Sequence, residues 1–103
     1  MKLRIAQNAV RIRLTAEEIA ALYAGKTVEL FTVFSAINKM TCRLNTWHLT
    51  TSAITLQDQI LSIQFPNDSL HEDNNFSFKT EIDNESAIPL TLLIELDQDC
   101  KHG

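Results

Sequence analysis

Lys2-Leu3-Arg4-Ile5-Ala6-Gln7-Asn8-Ala9-Val10-Arg11-Ile12-Arg13-Leu14 is two alternating stretches joined by a turn. Leu3 and Ile5, then Val10, Ile12 and Leu14, recur at period two between Lys2, Arg4, Arg11 and Arg13. That period belongs to half-buried β-strands. Asn8 tolerates the positive φ that a tight hairpin turn requires. With Gln7-Asn8 as the loop, Ala6 falls opposite Ala9, Ile5 opposite Val10, Arg4 opposite Arg11, Leu3 opposite Ile12 and Lys2 opposite Arg13. The apolar residues then share one face and all four basic residues share the other. Like charges directly opposite one another destabilise a sheet unless something compensates them. The basic face therefore takes an external anion or meets carboxylates of its own chain. Glu95 and Asp97 in the last strand, and Glu81 and Asp83 near the one before, alternate suitably for the second role. Exposed pairs of this kind contribute only about 0–1 kcal/mol each, but they would remove the repulsion and help fix register.

Outward from the hairpin, Thr15-Ala16-Glu17-Glu18 is a capping box that opens a helix. Ile19, Leu22 and Tyr23 fall at helical spacing, and Gly25 is a stop. The rest reads as strands separated by turns. Val28 to Phe34 is rich in β-branched and aromatic residues. Ser35 to Met40 is a loop, and Thr41 to Leu49 alternates less cleanly, as a bulged strand does. Residues 53–57 and 60–65 form a second hairpin around Asp58-Gln59, with Ile54 and Leu56 facing Leu61 and Ile63. Pro66 ends that strand. Residues 67–74 fit one short helical turn anchored by Leu70. Phe76 to Ile82 alternates with Phe76, Phe78 and Ile82 inward, Asp83 to Ser86 turns, and Pro89 to Asp97 is the last strand.

The expected fold is a single α+β domain over residues 1–103. It has a curved, mainly antiparallel sheet of seven or eight strands and one amphipathic helix, 15–25, over one face or plugging one end. An alternative makes strands 9–14 and 28–34 parallel, joined by the helix. Their connection of about 13 residues is barely enough for such a crossover.

The 103 residues are 45% apolar with a net charge of −4, as in a globular rather than a disordered chain. Residues 1–43 carry seven basic and three acidic side chains, and residues 44–103 carry two basic and ten acidic. No apolar run approaches the ~20 residues of a membrane-spanning helix, and no apolar signal segment follows Met1-Lys2. A cytoplasmic location and free Cys42 and Cys100 thiols are expected, with a single 42–100 bridge as the alternative.

The stretch Asn8-Ala9-Val10-Arg11-Ile12-Arg13-Leu14-Thr15-Ala16-Glu17-Glu18 resembles the opening of a family of short bacterial proteins of unknown function. Members of that family begin with a Lys/Arg-rich strand, a Gly-Asn turn and Arg-x-Arg-Leu-Thr before a helix. Leu93-Ile94-Glu95-Leu96-Asp97-Gln98-Asp99-Cys100 resembles its closing Glu-x-Asp-x-x-Cys tail. Gln7 stands where the family has Gly, and Leu96 and Gln98 stand where it has Lys and Phe. The resemblance implies a fold and carries no activity.

Few residues suggest chemistry. Trp47-His48 on a strand, with Tyr23 from the helix, are candidates for a ligand pocket between helix and sheet. Cys42 and His48 lie six residues apart, about 20 Å along an extended strand, too far for a thiol–imidazole pair. Cys100-Lys101-His102 with Cys42 and His48 matches no zinc spacing. His71-Glu72-Asp73 reads as a solvated turn without the glycine of a calcium loop. Gly25 and Gly103 are the only glycines, so no Gly-rich phosphate loop exists. No nucleophile elbow or HExxH motif occurs. No catalytic residue, metal ligand or cofactor is assigned.

The expected function is that of a non-enzymatic accessory or protein-binding module, acting through a strand edge or an uncovered sheet face on a protein partner or a second copy of the chain. The alternative is a small-molecule or anion-binding module. It would use the pocket near Tyr23, Trp47 and His48, or the basic hairpin face of Lys2, Arg4, Arg11 and Arg13. Net acidity weighs against nucleic acid.

Overall fold

The computed structural model describes residues 1–71 and 75–97. The elements run β1 (Lys2–Ala6), β2 (Ala9–Leu14), α1 (Ala16–Tyr23), β3 (Val28–Val33), β4 (Lys39–Trp47), β5 (Ala53–Gln57), β6 (Ile60–Pro66), a 3-10 turn (Asn67–Ser69), β7 (Ser77–Ile82) and β8 (Leu90–Leu96). The expected α+β composition holds, with eight strands and one α-helix among the described residues. The strands divide between two four-stranded sheets rather than one, ordered β1-β2-β8-β7 and β3-β4-β6-β5.

Both sheets follow one rule. Each is built from two antiparallel hairpins whose second strands pair parallel in the middle, β2 with β8 and β4 with β6. The first and last hairpins make one sheet, and the two middle hairpins make the other. Strands 9–14 and 28–34, the alternative parallel pair, lie in different sheets. The helical connection carries the chain across to the second layer instead of back to the first.

Local chemistry accounts for the hairpins. The first has the register read from its alternation, from Lys2 opposite Arg13 to Ala6 opposite Ala9. Asn8 takes φ 55° in its turn. In the second, Asp58 and Gln59 take φ 53° and 67°. Two successive positive φ values are the mark of the turn whose twist matches the flanking strands. Ile54 then faces Ile63 and Leu56 faces Leu61. The anticipated bulge is absent. The β4 register runs unbroken from Lys39 to Leu44 against β3 and from Thr41 to Trp47 against β6. Its pattern looked irregular because a polar Thr46 points inward and an apolar Trp47 outward at the strand's end.

The helix is fixed at both ends. The Thr15 hydroxyl accepts from the Glu18 amide at 3.2 Å, and the Glu18 carboxylate accepts from the Thr15 amide at 2.9 Å. Gly25, at φ 80°, closes the other end. Its amide donates to the Leu22 carbonyl and the Lys26 amide donates to Ala21, both at 3.0 Å. Thr15→Ala removes half of the reciprocal cap and is expected to cost about 1 kcal/mol, while Thr15→Asp retains most of it. Thermal melts of the two variants check this.

Alternation drives one face of each central strand inward. Val10, Ile12 and Leu14 of β2 and Leu92 and Ile94 of β8 form one core with Cys42, Leu44, Leu61, Ile63 and Phe65 of the other sheet. Ile19 and Leu22 of α1, Leu70 and Phe76 join it. Leu70 is the expected anchor of the segment after Pro66, in which Asn67–Ser69 forms a helical turn among the described residues. Across the two layers, Phe65 and Phe78 meet with ring centroids 5.6 Å apart.

Candidate anion-binding face

Pairing β2 with β8 sets the outer face of the first sheet. The registers place Arg4, Arg11, Leu93 and Lys79 in one cross-strand row. Lys2, Arg13, Glu95 and Ser77 form the next, and Ala6, Ala9, Thr91 and Glu81 the one on the other side. The four basic residues singled out from the sequence therefore share this face, and Lys79 joins them from the far strand. Short side chains at Ala6, Ala9 and Thr91 leave a shallow depression of about 300 Å³ beside the long arms of Arg4, Arg11 and Lys79. A smaller recess of about 180 Å³ lies among Lys2, Arg4, Arg11 and Arg13.

Carboxylates in and just after the last strand meet three of these cations. Glu95 Oε1 accepts from Arg11 Nε at 2.7 Å, lies 2.6 Å from Arg11 Nη2, and accepts from Arg13 Nε at 3.2 Å. Lys2 Nζ lies 2.8 Å from Asp97 Oδ2. The Asp97 side chain is only 3% exposed, and its amide donates to the Leu14 carbonyl at 2.8 Å. Glu95 thus grips one edge of the Arg11 guanidinium and sets its orientation. Arg4 and Lys79 are exposed and form no ion pair among the described residues. Among the described residues the face holds five cations against Glu81, Glu95 and Asp97, a net of +2 within a chain of net −4.

The other candidates are placed differently. The Tyr23 hydroxyl donates to the Leu70 carbonyl at 2.7 Å, and the Trp47 indole donates to the Thr51 carbonyl at 2.7 Å. His48 follows β4 in the exposed segment 48–51. The inward side of α1, where a pocket was expected, is filled by Ile19 and Leu22. Cys42 is fully buried on the inner face of β4, and burial pushes its thiol up to about 11. A thiol held neutral is a poor nucleophile and a poor metal ligand. Cys100, Lys101 and His102, and Glu72 and Asp73 of the polar loop, lie outside the described residues.

Lys79 is the member of the face that alternation alone did not single out. Its outward direction follows from Phe76, Phe78 and Ile82 pointing inward. Its place beside Arg11 depends on β7 flanking β8 and β8 flanking β2, a pairing between distant segments. No curated protein and no solved structure matches the chain significantly. A family of unknown function, DUF7009, has a model that matches residues 1–103, and the chain belongs to that family.

Proposed function

We propose that this protein is a non-enzymatic cytoplasmic binding module that takes an acidic segment of a protein partner on the outer face of its first sheet. The observation that carries the reading is the row of Arg4, Arg11 and Lys79 around an open depression. Arg4 and Lys79 stand three strand spacings apart, about 14 Å. An extended peptide laid across the strands brings residues i and i+4 about 13–14 Å apart. Alternate carboxylates along such a peptide therefore match the row. Arg11, held by Glu95 along one edge, keeps its remaining N–H donors for the middle carboxylate. Charges act over a Debye length of about 8–10 Å at ordinary salt, so a short acidic segment feels the local +2 rather than the −4 of the whole chain. A long polyanion meets the acidic remainder as well. The free, buried Cys42 thiol suits a reducing compartment. No helix among the described residues is long and apolar enough to cross a membrane.

The test is fluorescence anisotropy of a labelled peptide with alternating Glu residues. Salt-dependent binding is expected, weakened by roughly 1.5-fold to fivefold in each of Arg4→Ala and Lys79→Ala, the range for losing one exposed charge contact. Absence of binding at low salt contradicts the proposal, as do variants that bind like the wild type. Tighter binding of a single-stranded oligonucleotide of equal charge would overturn the choice of partner class.

A further inference from the structure

The second sheet ends at β3, Val28-Glu29-Leu30-Phe31-Thr32-Val33, which pairs with β4 on one side only. We propose that two copies of this protein join there, edge to edge and antiparallel, about a two-fold axis at Phe31. The second half of β3 is exposed on both sheet faces as well as along its open edge. Phe31 is 61% exposed, Val33 59%, and Phe34 and Ile37 just beyond the strand 69% and 78%. Edge strands ordinarily carry lysine, proline, a bulge or an inward charge that deters pairing. This one has none of them, and its register against β4 is unbroken.

Charge selects a second copy as the occupant. The one ionised side chain on β3 is Glu29, already 2.6 Å from Arg43. A two-fold at Phe31 sets the Glu29 end of each strand against the Val33 end of the other, where Lys39 is the β4 neighbour. Each Glu29, held by its own Arg43, then shares a cross-strand row with Val33 and Lys39 of the other copy, and no like charges lie directly opposite one another. The other edges fit less well. A two-fold on β1 brings Arg4 close to its own mate, and β7 carries Lys79 and Glu81. The outward residues of β5 are Ala53, Thr55 and Gln57.

Phe31, Val33, Phe34 and Ile37 are all more than half exposed in the single chain, and pairing at this edge would cover the part of each that faces the neighbouring strand. Shielding β3 also removes from solvent a β-prone hexapeptide with a single charge, the kind of segment that otherwise seeds aggregation.

Sedimentation equilibrium of the full chain, from low micromolar to near-millimolar concentration, tests the proposal. A monomer–dimer equilibrium is expected, with dimer dissociation raised at least about tenfold by Phe31→Lys or Val33→Lys. Both positions are exposed, and far-UV circular dichroism confirms that the variants fold. Leu56→Lys, equally exposed on the opposite edge, is expected to leave the equilibrium unchanged. In the wild type, hydrogen exchange at residues 29–33 is expected to slow as concentration rises. A wild type that stays monomeric at the highest concentration overturns the proposal. So do a dimer indifferent to both lysine variants, open-ended oligomers, or concentration-independent exchange in β3.

Discussion

Replacing Phe65 with alanine is expected to cost about 3–5 kcal/mol. Phe65 is fully buried on the inner face of β6, the strand that closes the parallel pair of the second sheet. Its ring lies against Phe78, which belongs to the first sheet. Truncation therefore opens a cavity between the layers, and the paired backbones on both sides keep the walls from collapsing into it. Domains of this size have stabilities of about 5–15 kcal/mol, so the loss takes from about a fifth of the margin to all of it. At about 4–8 °C per kcal/mol the melting point falls by some 12–40 °C. Phe78 is only half-buried, and Phe78→Ala should cost less. Urea unfolding followed by far-UV circular dichroism measures both. A loss below about 1.5 kcal/mol for Phe65→Ala would mean that the two sheets do not share a close-packed core.

Glu95→Gln is expected to move two properties in opposite directions. It keeps the side chain's shape and removes the charge that Arg11 and Arg13 share at 2.6–3.2 Å. Exposed ion pairs are worth about 0–1 kcal/mol and hydrogen bonds to charged groups about 1.5–3. Glu95 is 20% exposed and its arginines 32–35%, so solvent screening discounts the upper figure. A loss of about 1–2 kcal/mol is expected on that footing, part of it recovered in higher salt as the arginines are screened. Affinity for an acidic peptide is expected to rise about tenfold, because Glu95 no longer competes for Arg11. Melting curves and peptide titrations on the same sample check both signs. A variant that is destabilised and also binds less would separate the carboxylate's structural role from any anion site.

What the sequence made legible was local. The first hairpin's register, the Asp58-Gln59 turn and the Thr15–Glu18 cap each depend on residues close together in the chain, where period and turn chemistry suffice. The inward set of β7 and the alternation of β8 were readable for the same reason. The division into two sheets was not. Central strands with the same alternation can pair with several partners equally well by pattern. Arg11 and Glu95 meet across 84 residues of chain, and no local rule selects β8 over β3 as the neighbour of β2. The candidate site inherits this split. Four cations on one face followed from a two-residue period, and their carboxylate partners followed from the period of the last strand once it lay alongside. Lys79 needed the order of all four strands. Trp47, outward at the end of β4, reverses the apolar pattern of that strand, so alternation alone did not fix its direction.

β8 lies parallel to β2, so that Glu95 answers the basic hairpin and leaves Arg4, Lys79 and part of Arg11 exposed. The most direct measurement is the double-mutant cycle of Arg11→Ala and Glu95→Ala in urea unfolding. The predicted result is a coupling of at least about 0.5 kcal/mol, the range for residues in one ion-pair network. Two losses that simply add, within about 0.3 kcal/mol, would contradict it.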